Sequence, residues 1–194
     1  MHFKAVTGAT LALLAAACFG GPGVPDQLFT LTAEGERPAA AAARSAAEGE
    51  AITFVEPTVP RALETNRVPV YVDATTIQYL EGAYWVENPA PLFGRLVGEI
   101  VAARTGRVVL DAGQFTHDPG TRLTGQLLEF GLDAATMDAI AVYDVAIARE
   151  GGGITANRFA ARVPVAEATA AAVAPALNRA ANQVAEQVAA WIGG

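Results

Sequence analysis

The chain has 194 residues, of which 52% are hydrophobic and 17% charged, a balance that supports a packed core and argues against a disordered polymer. Its formal net charge of −7 offers no basic field to grip a phosphate backbone, which excludes nucleic acid as a partner. With one Cys (Cys18), one Ser (Ser45), one Lys (Lys4) and two His (His2 and His117), little raw material remains for nucleophilic, metal or cofactor chemistry, and neither a cofactor nor an enzymatic activity is expected.

Residues 1–17, MHFKAVTGATLALLAAA, begin with a basic residue, continue as an apolar run and end in small residues, the pattern of a bacterial export signal. The run falls short of the roughly 20 residues needed to span a bilayer. Leu14-Ala15-Ala16-Ala17-Cys18 reads as a lipobox, in which Cys18 becomes the lipidated first residue of the mature chain. Ala15-x-Ala17 also fits an ordinary signal-peptidase site at the same bond, which would leave a soluble periplasmic protein with a free amino-terminal Cys. Phe19 after the Cys favours the outer membrane by the enteric sorting rule. Residues 18–26, with Gly20, Gly21, Pro22, Gly23 and Pro25, read as a flexible tether, and 27–194 as one domain.

Within that domain, Gln27 to Thr32 reads as a short strand and residues 33–50 as a low-complexity Ala-rich loop. Strands are expected at Ile52 to Val55, closed by Pro57 and Pro60, and at Arg67 to Asp73, where Val68, Val70 and Val72 share a face. Thr76 to Leu80 and Ala83 to Glu87 suggest a hairpin turning at Glu81-Gly82. Leu92, Phe93, Leu96, Val97, Ile100 and Val101 form the stripe of an amphipathic helix over Leu92 to Arg104. Strands follow at Arg107 to Asp111, Thr121 to Leu132, Asp138 to Arg149 and Thr155 to Val163, the last two joined through Gly151-Gly152-Gly153. A closing helix from about Val173 carries Leu177, Val184, Val188, Trp191 and Ile192 on one side. This order predicts an α+β fold, a largely antiparallel sheet packed against two amphipathic helices.

Catalytic patterns find no support. Ser45 lacks the sharp-turn context of a hydrolase nucleophile, and His117, in His117-Asp118-Pro119-Gly120, reads as an exposed turn residue. Asp111, Glu129, Asp133 and Asp144 show no spacing that marks a catalytic pair. Tyr79, Tyr84 and Trp85 suit cross-strand and core packing better than a stacking platform.

Several short segments, taken in order, resemble the ABC-type transport auxiliary lipoproteins of the paraquat-inducible protein C type. They are Cys18, Leu28-Phe29-Thr30-Leu31, Thr58-Val59-Pro60-Arg61-Ala62-Leu63, Arg67-Val68-Pro69-Val70 and Ile77-Gln78-Tyr79-Leu80. Ala83-Tyr84-Trp85-Val86-Glu87-Asn88-Pro89 and the closing helix from Ala176-Leu177-Asn178-Arg179-Ala180 to Trp191-Ile192 complete the match. The resemblance implies a non-enzymatic accessory, lipid-anchored through Cys18 on the periplasmic side of the envelope. Its implied partners are an MCE-domain (mammalian cell entry) protein and ABC transporter subunits that move phospholipid or other hydrophobic molecules between the two membranes. Self-assembly into a homo-oligomer is compatible with that role. A soluble periplasmic binding module and a structural lipoprotein of another envelope assembly are the alternative readings.

Overall fold

The structure is a computed structural model that describes residues 27–35, 45–47, 50–113, 120–149 and 151–193. The export signal, Cys18, the tether, much of the Ala-rich loop and His117 lie outside the described residues.

The chain forms an α+β fold of seven strands in one mixed sheet and two helices. Its centre is β5 (Thr121–Asp133), which pairs along one edge with β6 (Asp138–Ala148), itself paired with β7 (Ile154–Pro164), in two long antiparallel ladders. Along the other edge of β5 the earlier chain runs parallel in three pieces. These are β1 (Ile52–Phe54) against Thr121 to Leu123, Thr58 against Gln126, and β2 (Arg67–Tyr71) against Leu132 and Asp133. Pro57 and Pro60 withhold ladder donors and divide this edge. Between Thr58 and β2 the chain detours through a 3₁₀ turn, Arg61–Leu63, that buries Leu63. The antiparallel character expected from the sequence thus holds in the long ladders, while β1 and β2 join β5 in parallel.

The outermost strands on this side are β4 (Val109–Asp111), parallel to β1, and β3 (Ile77–Tyr84), antiparallel to β2. The hairpin expected at Glu81-Gly82 is not formed. The segment is one continuous strand with a wide bulge, because Arg67 pairs with Tyr84 while Pro69 pairs with Tyr79. Gly82 takes the positive φ of 69° that the bulge requires, and the true turn lies at 72–76, where the amide of Val72 donates to the carbonyl of Thr76 at 3.0 Å.

The helices are α1 (Pro89–Thr105) and α2 (Ala170–Gly193). Pro89 and Pro91 occupy the first turn of α1, where a missing N–H costs nothing, and Gly106 closes the helix with φ 70°. The apolar stripe expected of α1 is buried in full, as are Val173, Leu177, Val184, Val188 and Ile192 of α2. Both helices pack on one face of the sheet and on each other, and Arg104 forks onto the Glu186 carboxylate at 2.8 and 2.7 Å across the helix pair. On β6 the alternation Ala139, Ala141, Tyr143, Val145, Ile147 supplies the helix-facing side. On β5 a bulge between Leu127 and Glu129 shifts the phase, so that Leu123 and Leu127 before it and Phe130 and Leu132 after it are all buried. The opposite face carries Arg122, Glu129, Asp144, Arg158 and Arg162 together with Ile140, Val142 and small residues.

Candidate functional site

The feature that ties the domain to the segment preceding it is the amino-terminal arm, residues 27–35. It is not a full strand: only Phe29 forms a bridge, to Trp85, with the Phe29 amide donating to the Tyr84 carbonyl and the Val86 amide to the Phe29 carbonyl, both at 2.8 Å. Beyond Phe29 the arm crosses α2, and two asparagines one helical turn apart read its backbone. The Thr32 amide donates to Asn178 Oδ1 at 2.9 Å, and the Glu34 amide to Asn182 Oδ1 at 2.8 Å. Asn182 Nδ2 donates to the Thr32 carbonyl at 2.9 Å and also to the Asn178 carbonyl at 2.8 Å. Asn178 Nδ2 reaches Glu34 Oε1 at 3.2 Å. The two side-chain amides therefore replace a neighbouring strand, each offering an acceptor and a donor at the spacing of alternate arm residues.

Packing reinforces this latch. Phe29 lies edge-on to Trp85 at 6.4 Å between ring centroids, and Phe29, Leu31 and Ala33 pack against the core. Asn182 is only 5% exposed, so its amide has no ready replacement partner in water. From the arm, aromatic contacts continue inward. Trp85 stacks on Phe130 at 5.4 Å, and Phe93 meets both Phe130 and Tyr143. Trp85 is fully buried, as core packing required, and Tyr79 lies under the Arg67 guanidinium at 4.5 Å with its hydroxyl donating to the Ala62 carbonyl at 3.3 Å. No stacking platform arises from these rings. The Trp85 indole N–H and the Tyr143 hydroxyl are buried without a hydrogen-bond partner among the described residues.

The carboxylates singled out in the sequence do not converge. Asp144 is held by Arg158 in a two-pronged pair at 2.6 and 2.7 Å, and Asp133 by Arg162 at 2.9 Å. Their arginine partners hold both carboxyls below the ordinary range, so neither is poised to deliver a proton. Glu129 stands on the same strand as Asp133, and Asp111 lies across β1 on β4. Ser45 sits by a shallow depression with Glu50, Thr105 and Arg107, where Arg107 donates to the Glu50 carbonyl at 2.9 Å. Among the described residues no group of three or more His, Cys, Asp or Glu gathers as metal ligands, and no helix is long and apolar enough to cross a membrane.

What the geometry defines is an α+β sheet-and-helix domain whose outer strands have no further strand partner among the described residues, and an extended arm laced to its last helix. Two solved structures share that fold. Protein XCC0632 from Xanthomonas campestris is 18% identical, with a TM-score of 0.62 over 75% of this chain and 86% of that one. A second crystal structure, of an uncharacterized protein, is 11% identical, with a TM-score of 0.60 over 75% of this chain and 91% of that one. No curated protein matches. The family model for the ABC-type transport auxiliary lipoprotein component matches residues 29–189, and the chain belongs to this family. The match starts at Phe29, so the latched arm falls within the family domain.

Proposed function

We propose that the protein is a membrane-anchored, non-enzymatic accessory of an MCE-type ABC transport system that moves phospholipid or other hydrophobic molecules between the inner and outer membranes. Cys18 is the anchor, carrying the lipid that holds the chain on the periplasmic face of the envelope, in the outer membrane. Residues 18–26 are the tether, and 27–194 the docking domain. The observation that carries this reading is the latched arm. Any pull along the tether enters the domain at Gln27 and is taken up by the Phe29–Trp85 bridge and by Asn178 and Asn182, which distribute it into β3 and α2. Membership of a transport auxiliary family supports a role in assembly over a role in chemistry.

The test is a pull-down from the native membrane in detergent, comparing wild type with Cys18→Ala. The expected result is a membrane-bound wild type that co-purifies an MCE-domain protein and ABC subunits, with Cys18→Ala released to the soluble fraction. Two soluble forms with no transporter subunit would refute both anchor and partner, and would favour a free periplasmic binding module.

A further inference from the structure

The sheet has one edge at which three kinds of recognition meet. Strand β4 is bonded to β1 on one side: the Ile52 amide donates to the Val108 carbonyl at 2.8 Å and the Ala112 amide to the Phe54 carbonyl at 3.0 Å. In a parallel ladder alternate residues face one neighbour, so the amides and carbonyls of Val109 and Asp111 point the other way. No described residue pairs with them. Above this edge, between β4 and α1, runs a cleft of about 380 Å³ whose walls are Phe54 and Val109 on the sheet and Pro91, Gly94 and Gly98 on the helix. At Gly94 and Gly98 α1 presents no side chain to the sheet, and at Gly94 it lies so close that a Cβ would crowd Phe54 at 3.1 Å. A Cβ at Gly98 would only just touch Val109, at 3.7 Å. Its charged groups are Glu56, Glu99, Asp111 and Arg95, and Arg95 is already claimed by an ion pair with Glu87. The three carboxylates have no cationic partner among the described residues.

We propose that this edge is the site at which a partner protein adds an extended, positively charged segment as a further strand beside β4. The Val109 and Asp111 backbone supplies the ladder, the cleft takes an aliphatic side chain of the incoming strand, and the carboxylates select arginine or lysine on either side of it. An acidic strand meets uncompensated like charge here and is rejected. The opposite sheet edge lacks this combination. There the Gln187 amide caps the Ala160 carbonyl at 3.3 Å, and Arg158 and Arg162 are spent on Asp144 and Asp133. The proposal rests on the docking role stated above and assigns it a place.

The test uses the full chain in detergent and a fluorescent probe peptide alternating arginine with valine, with an alternating glutamate–valine peptide as its counterpart, read by anisotropy. The basic probe is expected to bind and the acidic one not to. Val109→Pro deletes an outward N–H without touching the β1 ladder, and is expected to weaken the basic probe by about tenfold or more. The Glu56→Arg/Glu99→Arg pair, which leaves the backbone alone, is expected to do the same, while Glu167→Arg, in the exposed loop before α2, changes it by less than about twofold. Equal binding of both probes, or a double variant no weaker than Glu167→Arg, would overturn the proposal. Co-purification of ABC subunits separates the two levels. If the double variant retains them as well as wild type does, the place is wrong and the docking role stands. If wild type itself retains none, the docking role fails.

Discussion

Asn182→Ala should release the amino-terminal arm while leaving the domain folded. Asn182 makes two hydrogen bonds to the arm, one accepted from the Glu34 amide and one donated to the Thr32 carbonyl. At a net contribution of about 1 kcal/mol each, their loss removes about 2 kcal/mol from arm docking, which is close to a thirtyfold rise in the open fraction. The packing of α2 on the sheet is not cut, because both lost bonds run outward from α2 to the arm backbone and Phe29, Leu31 and Ala33 keep their own apolar contacts. Amide hydrogen exchange reads this directly. The Glu34 amide loses its acceptor and should exchange near the free rate, and the Thr32 amide, still facing Asn178, should speed up by about thirtyfold through opening of the arm. Core amides such as that of Leu127 should stay at the global rate. Asn182→Asp is the discriminating control: it keeps an acceptor for Glu34 but turns carboxylate charge towards the carbonyls of Thr32 and Asn178, so it should not rescue the latch. An unchanged Thr32 amide, or a fall in global stability equal to that of a core truncation, would refute the reasoning.

Two other perturbations test the core. The Tyr143 hydroxyl is fully buried without a partner among the described residues, so Tyr143→Phe should raise stability by about 1 kcal/mol in urea denaturation, since the desolvation cost of an unpaired hydroxyl disappears. Burial also raises the Tyr143 phenol above its ordinary value of 10.0 and the Tyr71 phenol to about 12, so both stay protonated in the folded chain after they ionise in the unfolded one. Stability should therefore be fully present below pH 10, fall as pH climbs from there towards 12, and fall less steeply in Tyr143→Phe; a flat profile would contradict the burial of both rings. Gly131→Ala should cost about 3 kcal/mol or more, measured by thermal and urea unfolding, because its Cβ would run into the Pro69 carbonyl and lie 3.0 Å from the Tyr71 ring.

The elements legible in the sequence were those with a sustained period. Six apolar residues of α1 at helical spacing and the stripe of α2 from Val173 to Ile192 announced both their type and their buried face, since each obeys one geometry along its length. The α+β class followed from their order. Glu81-Gly82 misled because a positive-φ glycine between two strand-like runs serves a hairpin turn and a wide bulge equally well. The choice is made by Arg67 and Tyr84 pairing on the far side, a non-local contact with no local signature. The parallel edge formed by β1, Thr58 and β2 was hidden for the same reason: nothing in a short apolar run states the direction of its neighbour.

The latch was illegible for a different cause. Asn178 and Asn182 sit in α2 among alanines and, read locally, are polar interruptions of a helix; one of them is nonetheless among the few buried polar residues of the domain. The available signal was the i, i+4 spacing, which puts both amides on one side of the helix, together with an extended Leu-Phe-Thr-Leu segment that has too few strand neighbours of its own. A buried amide must be fully hydrogen-bonded, and α2 offers it only the Asn178 carbonyl, so a second backbone had to cross there. The placement has a mechanical consequence. The arm is held at Trp85 and on α2, α2 packs on α1, α1 packs on β4, and the Arg104–Glu186 pair joins the two helices. Loosening that pair by Glu186→Gln should leave global stability nearly unchanged in urea denaturation, as exposed ion pairs do, and should leave the arm amides of Thr32 and Glu34 protected from exchange, because Asn178 and Asn182 still accept them.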